Sequence, residues 1–324
     1  MDRYLLFGIM ALIIISGCVG QENVVGVGTG KGVLINSFIT TPSLTEVQSG
    51  ETVLFDLDVQ NVGGTTAKNV DVDLFGIEGQ WRDVNGNLIG STQKQSFGIM
   101  RPPASERNLE GDIKAAQWEF MTPQVPQGLR SLALPVEARV TFDYNTSGFI
   151  QITALSDDEF RRQKINGETP APPIIQNSDG PIKMTVPTAE RYQYIVLDTI
   201  SGQATVTYPF RIVFTNVGTG FPITPEKTGT LKGAGGRLTG TIELRGPGVE
   251  FSNCLGITSG NTINLNDASI TTRIRDTQNA PIACTVKFDL AKWGGRPSDT
   301  IMFLFNINYR YYEKQTVNIN VVGV

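Results

Sequence analysis

Histidine is missing from this chain altogether, and that absence removes several function classes at once. Ser-His-Asp and Cys-His nucleophilic catalysis, His-ligated zinc and histidine-based pH switching all need an imidazole. Carboxylate, lysine or tyrosine chemistry is what remains open to an enzyme. Charge is sparse too. Only 18% of residues are Asp, Glu, Lys or Arg, the net charge is −4, and no basic stripe runs along the chain, which argues against nucleic acid as a partner. Helical periodicity is scarce. Cysteine occurs three times, at Cys18, Cys254 and Cys284. Abundant instead are glycine (35) and proline (17), with Thr, Val and Ile, a mixture suited to short strands joined by turns. A hydrophobic content of 40% over 324 residues supplies cores for about two domains.

The N-terminus is the most specific stretch. Arg3 precedes the apolar run Tyr4 to Ile15, and Ser16-Gly17-Cys18 follow. The run falls short of the roughly 20 apolar residues of a membrane span. Its order of parts is that of an export signal, 1–17, whose cleavage leaves Cys18 free for lipid attachment. An uncleaved anchor or an ordinary signal are the plainer alternatives, and all three place the rest of the chain outside the cytoplasm. Residues 18–32, glycine-rich and without periodicity, read as a flexible tether with a reach of about 20 Å. Gly28-Thr29-Gly30-Lys31 matches a phosphate loop only in part, since Val25 and Gly32 stand where glycine and Ser/Thr belong. With Cys18 assigned to lipid, Cys254 and Cys284 become a pair in an oxidising compartment, and a disulfide between them is expected.

From Val33 onward the pattern has period two. Val53, Phe55, Leu57 and Val59 alternate with polar residues, as do Val70, Val72 and Leu74, and then Val136 to Tyr144. Asn145-Thr146-Ser147-Gly148 reads as a loop before Phe149–Thr153. The second half repeats the plan, with Val206–Phe214, the one-faced run Ile301 to Tyr311, and a last strand from Gln315 to Val322. Asn-Val-Gly recurs at 61–63 and 216–218, an offset of 155, and Tyr144 and Tyr309 are offset by 165. One module duplicated, with a longer second copy, accounts for both. Ser156 and Glu159 form a capping box for a short helix to about Lys164, and proline-rich residues follow. The expected organisation is all-β: two tandem immunoglobulin-like antiparallel β-sandwiches, 33–155 and 181–324, joined by a helix and linker at 156–180.

Ser49-Gly50-Glu51, the alternating strand, Asn61-Val62-Gly63 and Ala67-Lys68-Asn69-Val70-Asp71-Val72 resemble the CARDB-type and related immunoglobulin-like domains of prokaryotic, especially archaeal, cell-surface lipoproteins. The resemblance covers 33–75 well and 181–220 less closely. It implies that Asn61, Gly63, Asn216 and Gly218 form turns rather than bind ligands. It also implies surface adhesion or scaffolding, and it specifies no ligand.

Candidate chemistry is thin. Asp56 with Asp58, and Asp71 with Asp73, share strand faces and are calcium candidates, but no Asp-x-Asp-x-Asp-Gly loop accompanies them and a solvated face explains them as well. Asp157, Asp158 and Glu159 could serve glycoside cleavage, or simply suit a helix start. Trp81, Trp118, Trp293, Tyr309 and Tyr311 read as core before sugar platform, with Tyr312 outward. Asn145 heads the single Asn-x-Ser/Thr sequon and is a glycosylation candidate in its expected hairpin turn. No cofactor is expected. The expectation is a non-enzymatic, lipid-anchored protein on the outer face of the cell membrane, contacting a surface protein or glycan. A carbohydrate-active hydrolase using paired carboxylates, and a filament subunit self-associating through edge strands, are the alternatives.

Overall fold

The computed structural model describes residues 30–42, 46–107, 109–187, 194–199, 202–224, 235–255, 260–267, 273–274 and 280–323. Cys18 and the tether up to residue 29 lie outside the described residues.

Alternation sets the layers. In β3 (Thr52–Asn61) Val53, Phe55, Leu57 and Val59 are buried, and in β4 (Ala67–Phe75) Val70, Val72 and Leu74 are, since period two sends each set to one side. β3 lies antiparallel between β1 (Val33–Thr41) and β6 (Ile113–Met121). β4 belongs to the facing sheet, between β5 (Gln93–Met100) and β7 (Ser131–Ser156). Phe55 centres this core, 5.5 Å from the Trp81 ring and 6.2 Å from Phe38. In the second half β11 (Thr205–Asn216) lies between β9 (Ile182–Thr185) and β18 (Ala280–Asp289), with β15 (Val249–Cys254) beyond. The sheet facing it contains β19 (Ser298–Val322), β14 (Thr239–Arg245) and β16 (Thr262–Asn264). Phe210 stacks on Phe303 between these layers at 4.5 Å. Each half is an immunoglobulin-like antiparallel sandwich. Helix among the described residues is confined to α1 (Asp157–Ile165), α2 (Leu290–Trp293) and one 3-10 turn. The Ser156 hydroxyl caps α1 by accepting from the Glu159 amide at 3.2 Å, as the sequence leads one to expect.

The join between the halves differs from expectation. β7 and β19 are single strands of 26 and 25 residues, paired antiparallel from Ser131↔Val322 to Leu155↔Ser298. β4 lies beside the first half of β7, while β8 (Ile174–Asn177) and β10 (Tyr194–Leu197) lie beside its second half. On β19, β14 pairs with Met302–Asn308 and β12 (Phe221–Ile223) with Arg310–Tyr312, and β2 (Glu46–Gln48) runs parallel to Asn320–Val322. A small ribbon of β13 (Gly236–Arg237) and β17 (Arg273–Ile274) completes the sheets. Each half therefore receives part of a strand from the other. The stretch 156–180 does not part the central sheet, because β8 folds back onto β7.

The turn expected at Asn145–Gly148 is uninterrupted strand, and so is the break expected before Gln315. The polar residues that suggested turns find partners across the sheet. Thr146 is buried, with its hydroxyl 2.7 Å from that of Tyr309. Gly148 leaves room for the Gln176 carbonyl of β8, which a methyl group would overlap.

Candidate binding site at the waist

Where the two halves meet, β3 and β11 each end on the asparagine of an Asn-Val-Gly sequence. Asn61 Oδ1 accepts from the Gly63 amide (3.1 Å), and its Nδ2 donates to the carbonyls of Thr65 and Met100, both at 2.9 Å. Asn216 repeats this, accepting from Gly218 N (3.2 Å) and donating to the Gly220 carbonyl (2.9 Å). These are Asx turns, as the resemblance implied. Each glycine also makes room for a tyrosine. A methyl group at Gly63 would overlap Tyr144 Oη and lie 2.6 Å from the Lys31 carbonyl; one at Gly218 would lie 2.5 Å from Tyr311 Oη and 2.6 Å from Pro181. By contact, then, the counterpart of Tyr144 is Tyr311. Tyr309 faces Tyr144 directly across the strand pair, ring centroids 6.2 Å apart. Burial raises the pKa of all three phenols, so their hydroxyls remain protonated.

Residues 30–32, the end of the expected tether, are built into this waist. Gly30 and Gly32 are buried, the Val62 amide donates to the Gly32 carbonyl (3.0 Å), and a methyl group at Gly32 would meet Pro181 and Phe142. Buried ionisable groups lie nearby. Thr219 Oγ1 donates to the Glu313 carboxylate (2.9 and 3.0 Å), and burial pushes that acid up to about 7. Lys183 Nζ donates to the Ser178 carbonyl (2.7 Å), and burial lowers its pKa.

On the opposite side of the same strands an open pocket of about 410 Å³ sits over Asp143, Asn145, Asn308 and Arg310. Thr66 and Lys68 bound it on one flank, Arg237 and Thr239 on the other. Alternation produces this division: Phe142 and Tyr144 point into the core while the residues between and beyond them point out. Arg310 Nη1 binds Asp143 Oδ1 at 2.9 Å, and Asn69 Nδ2 donates to the other oxygen at 2.6 Å. Asn145 Nδ2 donates to Asn306 Oδ1, to Asn308 Oδ1 (3.1 Å) and to the Ile307 carbonyl (3.3 Å). Arg237 Nη2 reaches the carbonyl of Asp267 (3.1 Å), while its buried Nε has no partner among the described residues. The arrangement offers hydrogen-bond donors and positive charge. Lys68, Arg237, Asn308 and Arg310 were not singled out from sequence; the outward alternation Asn306, Asn308, Arg310 was the available signal.

The other expected sites disperse. Asp56 and Asp58 lie on the outer side of β3, accepting from Gln117 Nε2 (2.6 Å) and Ser37 Oγ (2.9 Å). Asp71 and Asp73 lie on β4, in the facing sheet, and Asp71 pairs with Lys94 at 2.8 Å. The two aspartate pairs are thus on opposite outer faces and cannot share an ion. Asn145 is half-buried in mid-strand with its amide engaged, and is not in the expected hairpin turn. Asp157 pairs with Arg161 (2.7 Å) and Glu159 with Arg162 (2.7 Å), whose hydrogen bonds hold the Glu159 carboxyl down at about 2. A general acid needs the opposite shift. Trp81, Trp118 and Trp293 are core residues. Tyr312 points outward but is covered by Phe221 (5.4 Å) and Arg139 (5.3 Å). Cys254 and Cys284 are direct cross-strand partners on β15 and β18, joined as a disulfide with Cα atoms 4.3 Å apart. Among the described residues no helix is long and apolar enough to cross a membrane.

No protein-family model matches the chain, and no curated protein matches it. Among solved structures it is similar to the C-terminal globular domain of an oligosaccharyltransferase from Pyrococcus abyssi, at 8% identity and a TM-score of 0.24. That match covers 91% of this chain and 50% of the other, so the chain spans half its length. It is also similar to the type II cohesin dyad of the adaptor ScaA scaffoldin of Acetivibrio cellulolyticus, at 7% identity and a TM-score of 0.16, covering 86% and 84% of the two chains. Likeness at this level carries no argument about ligand or activity.

Proposed function

We propose that this protein is a non-enzymatic module of the cell surface, held to the outer face of the membrane by lipid on Cys18 and acting in adhesion, scaffolding or ligand binding. The observation that carries the reading is the β7–β19 pair, shared by both sandwiches along its full length. Two domains on a string would bend independently. A common strand pair makes a stiff body, which suits contact and display. The described chain enters that body at the waist, at Gly30–Gly32 beside Phe142, on the side away from the pocket. The hydrolase alternative loses support because two of the three clustered acids, Asp157 and Glu159, are ion-paired at a helix start. For the filament alternative, the outer edge of the last strand is already occupied by β2 over Asn320–Val322.

The test is intact mass after extraction from membranes. A chain beginning at Cys18 and carrying two acyl chains is expected, as lasting attachment takes two, and Cys18→Ala is expected to leave the membrane fraction. An unmodified chain beginning at Met1 overturns the anchor. Mild crosslinking on intact cells, followed by capture, then identifies the contact.

A further inference from the structure

The pocket on the outer face of the waist has an unbalanced charge. Three cations, Lys68, Arg237 and Arg310, line it against one acid, Asp143. Asp143 already has both oxygens engaged, by Arg310 and Asn69. Among the described residues, that leaves Lys68 without an acidic partner and Arg237 satisfied only by backbone carbonyls through one terminal nitrogen. Its Nε is buried and has no partner among the described residues. Unpaired cations facing one cavity, on a chain whose net charge is −4, focus positive potential there. The guanidinium fork is the geometry that takes a carboxylate or sulfate through two hydrogen bonds. Around it the lining is neutral and polar: the side-chain amides of Asn145 and Asn308 and the hydroxyls of Thr66 and Thr239. The volume of about 410 Å³ falls in the range of about 300–1,000 Å³ usual for small-ligand sites, which is more room than a bare inorganic anion requires.

We propose that this pocket binds an anionic saccharide, its acid group taken by Arg237 under the positive potential that Lys68 adds from the opposite flank, and its hydroxyls by Asn308, Thr66 and Thr239. The inference rests on the protein's working as a binder, but not on its lipid anchor. The two fail separately, because binding is measured in solution and anchoring by mass. Both cations come from positions that tertiary pairing brings together: Lys68 from the start of β4 opposite Asp143, and Arg237 from β13, next to the strand that pairs with Asn308.

The test is calorimetric titration of the detergent-solubilised full chain with a disaccharide of glucuronic acid and N-acetylglucosamine. Parallel titrations use the same disaccharide with its carboxylate reduced to the alcohol, and inorganic phosphate. The acidic sugar is expected to bind at least tenfold more tightly than either, with affinity falling as salt rises. Arg237→Gln and Lys68→Gln are each expected to weaken it about tenfold, Lys68→Gln with the thermal midpoint unchanged because that side chain is exposed. Equal binding of the reduced sugar overturns the anionic part of the proposal, and phosphate binding as tightly as the acidic sugar overturns the saccharide part. Absence of binding, or binding unchanged in both variants, overturns the site.

Discussion

The two ends of the waist are built on one plan and finished differently. At each, an Asn-Val-Gly turn admits a tyrosine from the central strand pair, Tyr144 beside Gly63 and Tyr311 beside Gly218. Two residues beyond each tyrosine the halves diverge. Thr146 meets the Tyr309 hydroxyl, neutral against neutral. Glu313 is clasped by Thr219 with its carboxyl buried. The backbone turn is the same at both ends because its Asx hydrogen bond is made within the motif. The adjoining side chain is free to change from hydroxyl to acid, and with it the energetics of one end become sensitive to pH.

The comparison can be broken most forcefully at the centre. Phe142 is fully buried and its ring lies 5.8 Å from Tyr144 and 5.7 Å from Tyr311. Phe142→Ala is expected to cost about 3–5 kcal/mol and to shift the unfolding of both halves together, as one transition in calorimetry. Two separated transitions would mean that the halves are energetically independent despite their common strands. Next in size is the disulfide, which only the second half has. Cys254 and Cys284 are 30 positions apart, and a loop of that length is stabilised by about 3.5 kcal/mol on the chain-entropy model. Reduction is expected to lower the unfolding free energy by that amount, seen as a lower denaturant midpoint by probes in either half. A loss seen only in the second half would again separate them.

Glu313 sharpens the comparison through pH. Its folded pKa stands at about 7 against an ordinary 4.5, so between those values the folded state holds the proton more tightly than the unfolded chain does. Stability from this group is therefore full below about pH 4.5 and declines as pH rises through 7, by about 3 kcal/mol at most. Glu313→Gln is expected to flatten that part of the stability profile and to exceed wild type above pH 7. A profile unchanged by the substitution would show that the acid is not the source. The smallest effect distinguishes the two glycines. Gly63→Ala drives a methyl group against the backbone carbonyl of Lys31, whereas Gly218→Ala meets side chains. Both lie in the usual overpacking range of about 1–3 kcal/mol, with Gly63→Ala the costlier. Chemical denaturation of the two variants side by side tests the order.

Much of the local fold was legible. Val53 to Val59, Val70 to Leu74 and Ile301 to Tyr311 are buried on the faces that alternation assigned, and Ser156 caps its helix. The Asn-Val-Gly motifs form turns because an Asx hydrogen bond is local. The continuity of β7 and β19 was not legible. Asn145-Thr146-Ser147-Gly148 has turn composition, and its strand conformation depends on Tyr309, Asn306, Asn308 and the Gln176 carbonyl, all distant in sequence. The pocket was illegible for the same reason. Lys68 and Arg237 are 169 positions apart and share no motif.

The alternating layers, the two turn motifs, the core tryptophans and the absence of imidazole chemistry all follow from residue type and short-range periodicity. Three features come instead from long-range pairing: the halves share one strand pair, Tyr311 rather than Tyr309 answers Tyr144, and an unbalanced set of cations gathers over Asp143. Those outcomes depend on which strands pair and in what register. Pairing between distant segments is chosen by the mutual burial of both faces, which neither segment encodes alone.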